Sequence, residues 1–205
     1  MEFKLRKLSL IVSFMALLAG GSALLAQRAP ANEKAPDTYR VNLDLSTGPV
    51  VVEVTRALAP NGADRFYNLV KAKYFDGARF FRVVPGFMVQ FGLAGDPKVS
   101  KEWDVTIQDD PVKTSNARGM LTFAATGAPN SRSTQLFISY GDNKFLDSQR
   151  FAPFGMVVSG MENVDKIYSG DRERPDQGRI TAEGNAYLQK DFPKLDYIKS
   201  ARIAQ

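Results

Sequence analysis

The chain has 205 residues, a formal charge of +5, and neither cysteine nor histidine. Those two absences exclude Ser-His and Cys-His nucleophilic systems, thiolate chemistry, disulfides and zinc sites built from these ligands. Without residues 1–26 the charge falls to 24 basic minus 21 acidic, or +3, with no basic run in the body, so nothing calls for a nucleic-acid partner.

Residues 1–26 read as a secretory signal. Lys4, Arg6 and Lys7 precede the apolar run Leu8 to Leu18, and small residues follow from Ala19 to Ala26. The expected location is therefore outside the cytoplasm, in the periplasm. The alternatives are secretion, or an uncleaved anchor over residues 8–26, which would be the only contact with a membrane. Residues 27–37 are polar and proline-spaced and read as a flexible linker, with the folded domain spanning 38–205.

Tyr39–Leu45 alternates with period two. Thr47-Gly48-Pro49 is a turn, and Val50–Val54 completes a hairpin. Pro60-Asn61-Gly62 opens a helix whose stripe is Ala63, Phe66, Tyr67 and Val70. Residues 93–116 form a long polar excursion. Strands follow at Met120–Ala125, Gln135–Tyr140 and Ala152–Val158. Glu162–Tyr168 suggests a short helix and Ala182–Gln189 a weaker one, and Leu195–Ile203 returns to pair with the first strand. About eight short strands in hairpin order indicate an antiparallel barrel or sandwich.

The stretch from Phe80 to Gly92 sets one cation, Arg82, and one amide, Gln90, among large apolar residues. Two strands joined at Pro85-Gly86 would let Arg82 and Gln90 meet over an apolar surface, since Met88 and Gln90 share a face. Such a surface suits a catalyst that needs a hydrogen-bond donor and a dry pocket but no nucleophile. Further on, Gly119–Ala125 ends a strand in small residues before the turn Gly127-Ala128-Pro129-Asn130-Ser131. Small side chains there allow another backbone to approach. Next come Ser133-Thr134-Gln135-Leu136-Phe137-Ile138, Phe145-Leu146-Asp147 and Phe151–Gly155. Taken singly, each aromatic here is most simply core, and Asp171-Arg172-Glu173-Arg174 is most simply a solvated loop.

Together these segments resemble the cyclophilin family of peptidyl-prolyl isomerases, from about Tyr39 to Ile203. The stretch from Phe80 is similar to the family's Phe-x-Arg-x-x-x-Gly-Phe-Met-x-Gln-x-Gly signature, and the later segments appear in family order. The resemblance implies a mainly β fold, a closed eight-stranded antiparallel barrel capped by two helices, acting without a cofactor or metal. It implies proline-containing peptides and unfolded protein clients as partners of a monomer. Arg82 would be the catalytic arginine and Gln90 its neighbour. Phe87, Met88, Phe137 and Leu146 would line the proline pocket, and Ala124, Ala125 and Gln135 would hold the flanking peptide. Three positions depart from the pattern. Ala125 replaces a common asparagine, and Phe145 stands where animal members carry a tryptophan associated with tight cyclosporin binding. The pocket histidine has no counterpart, with Phe151 the candidate for its place. A fold of this type with little turnover, serving as a peptide-binding module or chaperone, is the alternative.

Overall fold

A computed structural model describes residues 32–204. Eight strands form one antiparallel sheet: β1 (Thr38–Leu45), β2 (Gly48–Thr55), β3 (Arg82–Val84), β4 (Met88–Phe91), β5 (Met120–Phe123), β6 (Leu136–Ser139), β7 (Pro153–Ser159) and β8 (Ile198–Ile203). Their spatial order is β3-β4-β6-β5-β7-β2-β1-β8. The alternation in β1 puts Tyr39, Val41, Leu43 and Leu45 on the buried face, and Val50, Val52 and Val54 of β2 join them. β8 pairs with β1 as the sequence suggested, Leu43 facing Ala201.

The closed barrel is corrected. The sheet curls but keeps two ends, β3 and β8. The seam holds only the isolated bridge Arg79–Tyr197 and a few bonds between residues 77–80 and 195–198. The reason lies at β3. It is three residues long, and its Val83 N–H is taken by the carbonyl of Arg172 at 3.0 Å. A loop carbonyl thus occupies the edge that a closing strand would need.

Phe66, Phe75, Phe80, Phe91, Phe123 and Phe154 fill the curl, each buried almost completely. Burying one such ring stabilises by about 1.5–3 kcal/mol. Helix α1 (Pro60–Lys71) lays Ala63, Phe66, Leu69 and Val70 on this core. Its first turn has no cap of its own. The Asp110 carboxylate supplies one, accepting from the N–H groups of Asn61 (3.1 Å) and Gly62 (2.8 Å), and burial pushes its pKa up against those bonds. The expected polar excursion is therefore docked in part, and it contains α2 (Pro97–Trp103), capped by Asp96 and closed by a buried Trp103. Helix α3 (Met161–Asp165) is shorter than expected. The single weak helix expected at 182–189 is two, α4 (Gln177–Glu183) and α5 (Asn185–Asp191), divided at Gly184 with φ +60°. Their apolar faces make a second, smaller core with Phe81, Leu93, Phe192 and Leu195. Two capping helices thus understate the helical content: five α-helices and a 3₁₀ turn, Lys144–Gln149, stand among the described residues.

The expected signal, residues 1–26, lies outside the described residues. Of the expected linker, the last part is docked. The N–H of Glu33 donates to Asn68 (3.0 Å), that of Ala35 donates to Asp64 (2.9 Å), and Ala35 is buried. The folded chain starts by Glu33 rather than Thr38.

Candidate active site

The register of β3 and β4 places Arg82 directly opposite Gln90. Arg82 Nη1 donates to Gln90 Oε1 at 3.2 Å, and Gln90 Nε2 donates to Gln135 Oε1 at 2.8 Å. The short turn at Pro85-Gly86 therefore does for Arg82 what the two-residue strand period suggested. Gln90 is buried, while the Arg82 side chain keeps 32% of its surface exposed. Gln90 thus steadies one terminal nitrogen of a guanidinium that stays partly open to solvent.

Beside it lies an apolar patch separate from the main core. Met88, Phe137 and Leu146 are buried, and Phe87, Val84, Ala124 and Phe151 pack partly exposed around them. Arg82, Gln90, Phe87, Met88, Ala124, Ala125, Gln135, Phe137, Leu146 and Phe151 all line one cleft of about 280 Å³. Every site residue expected from the sequence is therefore in the lining except Phe145. That ring is 55% exposed at the rim, 5.7 Å from the Phe87 ring. Phe151 packs edge-on against Phe137 at 5.8 Å, and the Arg132 guanidinium lies 5.8 Å from the Phe151 ring.

Ala124 and Ala125 follow directly on β5, where Ala124 N–H still donates to the Gln135 carbonyl at 2.9 Å. Thr126, Ser131 and Ser133 continue this wall, and the Thr126 N–H is held by Ser131 Oγ at 3.0 Å.

Several organising residues escaped the sequence reading. Asn116 is fully buried. Its Nδ2 donates to Asp147 Oδ1 (2.8 Å) and to the Phe151 carbonyl (2.9 Å), and its Oδ1 accepts from Thr122 (2.9 Å). One amide thus ties the 3₁₀ turn carrying Leu146 to the backbone of Phe151 and to β5. Burial works against the Asp147 charge, but bonds from Ser115 and Asn116 outweigh it and hold the carboxyl below its usual range. Arg132 is also buried. It pairs with Asp109 and donates to the Arg150 carbonyl, pinning the excursion to the Phe151 loop. Gln177 reaches the cleft from α4, and Glu173 pairs with Arg82 from the charged loop. Neither carries a local signal, since both lie in a segment whose composition reads as solvent-facing.

Residues 40–184 match the family model described as cyclophilin type peptidyl-prolyl cis-trans isomerase/CLD. The chain belongs to the cyclophilin family. A peptidyl-prolyl cis-trans isomerase of Acinetobacter baylyi is 34% identical over 158 residues, covering 75% of this cyclophilin and 80% of the relative. Peptidyl-prolyl cis-trans isomerase A of Dickeya dadantii is 36% identical over 151 residues, covering 68% and 75%. Among solved structures, a cyclophilin type isomerase of Cryptosporidium parvum superposes with a TM-score of 0.60 at 21% identity, covering 82% of this chain and 98% of that one. At that identity the likeness speaks to the fold. The family match ends at residue 184, just before α5, so the second core is partly built from residues beyond it.

Proposed function

We propose that this cyclophilin accelerates rotation about X-Pro bonds in proline-containing peptides and unfolded protein clients. The observation that carries the reading is the placement of Arg82, steadied by Gln90, beside the Met88–Phe137–Leu146 patch in one cleft. Amide resonance sets a barrier of about 18–20 kcal/mol. An X-Pro bond is nearly balanced between cis and trans yet crosses in tens to hundreds of seconds. Catalysis here breaks no bond and moves no proton. It needs the twisted amide bound better than either planar form.

When the amide twists, the prolyl nitrogen regains a lone pair, and an N–H of Arg82 can donate to it. The pocket of Phe87, Met88, Phe137 and Leu146 grips the ring and excludes water, which strengthens that bond. Backbone bonding at Ala124-Ala125 anchors one side of the peptide while the other rotates. Lowering the barrier by about 4 kcal/mol would give roughly a thousandfold. Cis–trans exchange in a short Ala-Pro peptide, followed by NMR with and without the protein, tests this reading. Binding without faster exchange would favour the peptide-binding alternative. Action in the periplasm belongs to the same proposal. The basic start and apolar run of residues 1–26 support it, and cell fractionation would check it.

Two expected results follow from residue types. The catalysed rate should be nearly flat between about pH 6 and 8.5, because carboxylates ordinarily titrate below that window and tyrosine, lysine and arginine above it. No histidine or cysteine is present to titrate inside it. Asp110, whose pKa burial raises, caps α1 and does not line the cleft. A bell-shaped profile with a non-titrating peptide would contradict a mechanism without proton transfer. The second result is weak cyclosporin inhibition, because Phe145 offers no indole N–H. Phe145→Trp should tighten it, and nanomolar inhibition of the unaltered protein would reject the inference.

A further inference from the structure

The loop Asp171–Arg174 brings a second charged group to Arg82. Glu173 Oε1 accepts from Arg82 Nε at 2.6 Å and lies 2.5 Å from Nη2. The carboxylate is presented from an anchored backbone. Arg172 takes a left-handed φ of +47°, and its carbonyl accepts from Val83 N–H, one residue beyond Arg82. Arg174 N–H closes the turn on the Asp171 carbonyl at 2.9 Å, and its guanidinium sits 5.6 Å from the Phe192 ring in the second core. Asp176 N–H is held by the Tyr187 hydroxyl at 3.1 Å. The α4–α5 unit therefore fixes where Glu173 stands.

A guanidinium has five N–H donors. Glu173 takes the one on Nε and stands in ion-pair range of Nη2, while Gln90 takes one on Nη1 and Met88 Sδ lies 4.0 Å from that same nitrogen. That leaves an N–H of Nη2 without an acceptor among the described residues. Glu173 does not line the cleft, whereas Arg82 does, so the carboxylate approaches from outside the substrate's space. A substrate need not displace it.

We propose that Glu173 is a positioning residue for Arg82: with Gln90 it locks the guanidinium before the peptide arrives, leaving an Nη2 N–H for the twisting amide. The inference rests on the isomerase reading of Arg82. An unrestrained arginine loses rotamer freedom when it engages the transition state, and a pre-set one does not. The ion pair itself is exposed, the Glu173 side chain by 57%, so it contributes little to fold stability. Its removal should show in catalysis rather than in melting.

The test compares full-length wild type, Glu173→Ala and Glu173→Gln by peptide exchange and by ¹⁵N NMR of the Arg82 Nε–H. Glu173→Ala should lower kcat roughly three- to tenfold, with KM and Tm nearly unchanged and the Nε–H signal lost to solvent exchange. Glu173→Gln, which keeps an acceptor, should recover part of both. In an Arg82→Ala background, Glu173→Ala should change nothing further. An unchanged or increased kcat in Glu173→Ala would overturn the proposal, an increase meaning that Glu173 masks Arg82. Absence of exchange activity in the wild type would remove the isomerase reading, and the positioning role with it. That outcome is told apart by the wild-type arm alone.

Discussion

Arg82→Ala is expected to lower the catalysed exchange rate at least a hundredfold while leaving Tm nearly unchanged. A hundredfold corresponds to about 2.7 kcal/mol of transition-state stabilisation. Loss of one pre-set donor aimed at a changing atom typically costs that much or more in a dry site. Stability should hold because Arg82 is partly exposed and its partners can turn to water: Glu173 already faces solvent, and Gln90 keeps its bond to Gln135. Arg82→Lys should rescue little. A single ammonium cannot reproduce the fork that meets Gln90 on one side and Glu173 on the other. Exchange kinetics on the folded variants decide the matter, and near-normal turnover in Arg82→Ala would reject the mechanism.

Gly92→Ala is expected to cost roughly 2–6 kcal/mol of folding stability, the sum of overpacking and left-handed backbone strain. Gly92 follows β4 directly with φ +104°, and a Cβ there would stand 2.3 Å from the Thr134 carbonyl oxygen and 2.9 Å from Gln135 Cα. These neighbours are backbone and cannot swing aside. The displaced Gln135 would also loosen its hold on Gln90, so the variant should lose activity even where enough of it folds. Gly127→Ala is the matched control. It has open space around the new methyl group and should be tolerated. Urea unfolding of both would check this, and a wild-type midpoint for Gly92→Ala would contradict the geometry.

How far the site could be read from the chain depended on sequence distance. Arg82 and Gln90 are eight residues apart across one tight turn, so strand period and turn chemistry alone put them face to face. Phe87, Met88 and the hairpin of β1 and β2 were legible for the same reason. Phe137, Leu146 and Phe151 were each ambiguous. A large apolar side chain looks the same in sequence whether it faces the main core or a cleft, and only the packing assigns these three to the smaller patch. The polar excursion 93–116 looked solvated because composition reports average polarity. It does not show that Asn116 and Asp110 are buried and bonded to residues 31 to 49 positions away.

The amino-acid types by themselves narrowed the class of chemistry. The absence of histidine and cysteine removes nucleophilic systems and zinc sites built from them, and one arginine among apolar residues suits a site that offers a hydrogen-bond donor in a dry pocket. Periodicity located the strands and the local hairpins β1-β2 and β3-β4, because such hairpins need little loop closure, whereas pairings such as β4-β6, β5-β7 and β2-β7 join strands that are not consecutive. What only the tertiary structure decided is what lies beside those strands. The β3 edge meets the Arg172 carbonyl instead of a closing strand, and Glu173 reaches Arg82 across 91 residues. No local pattern encodes either contact. Both depend on where the α4–α5 unit buries its apolar face, and that is set by the packing of the whole sheet.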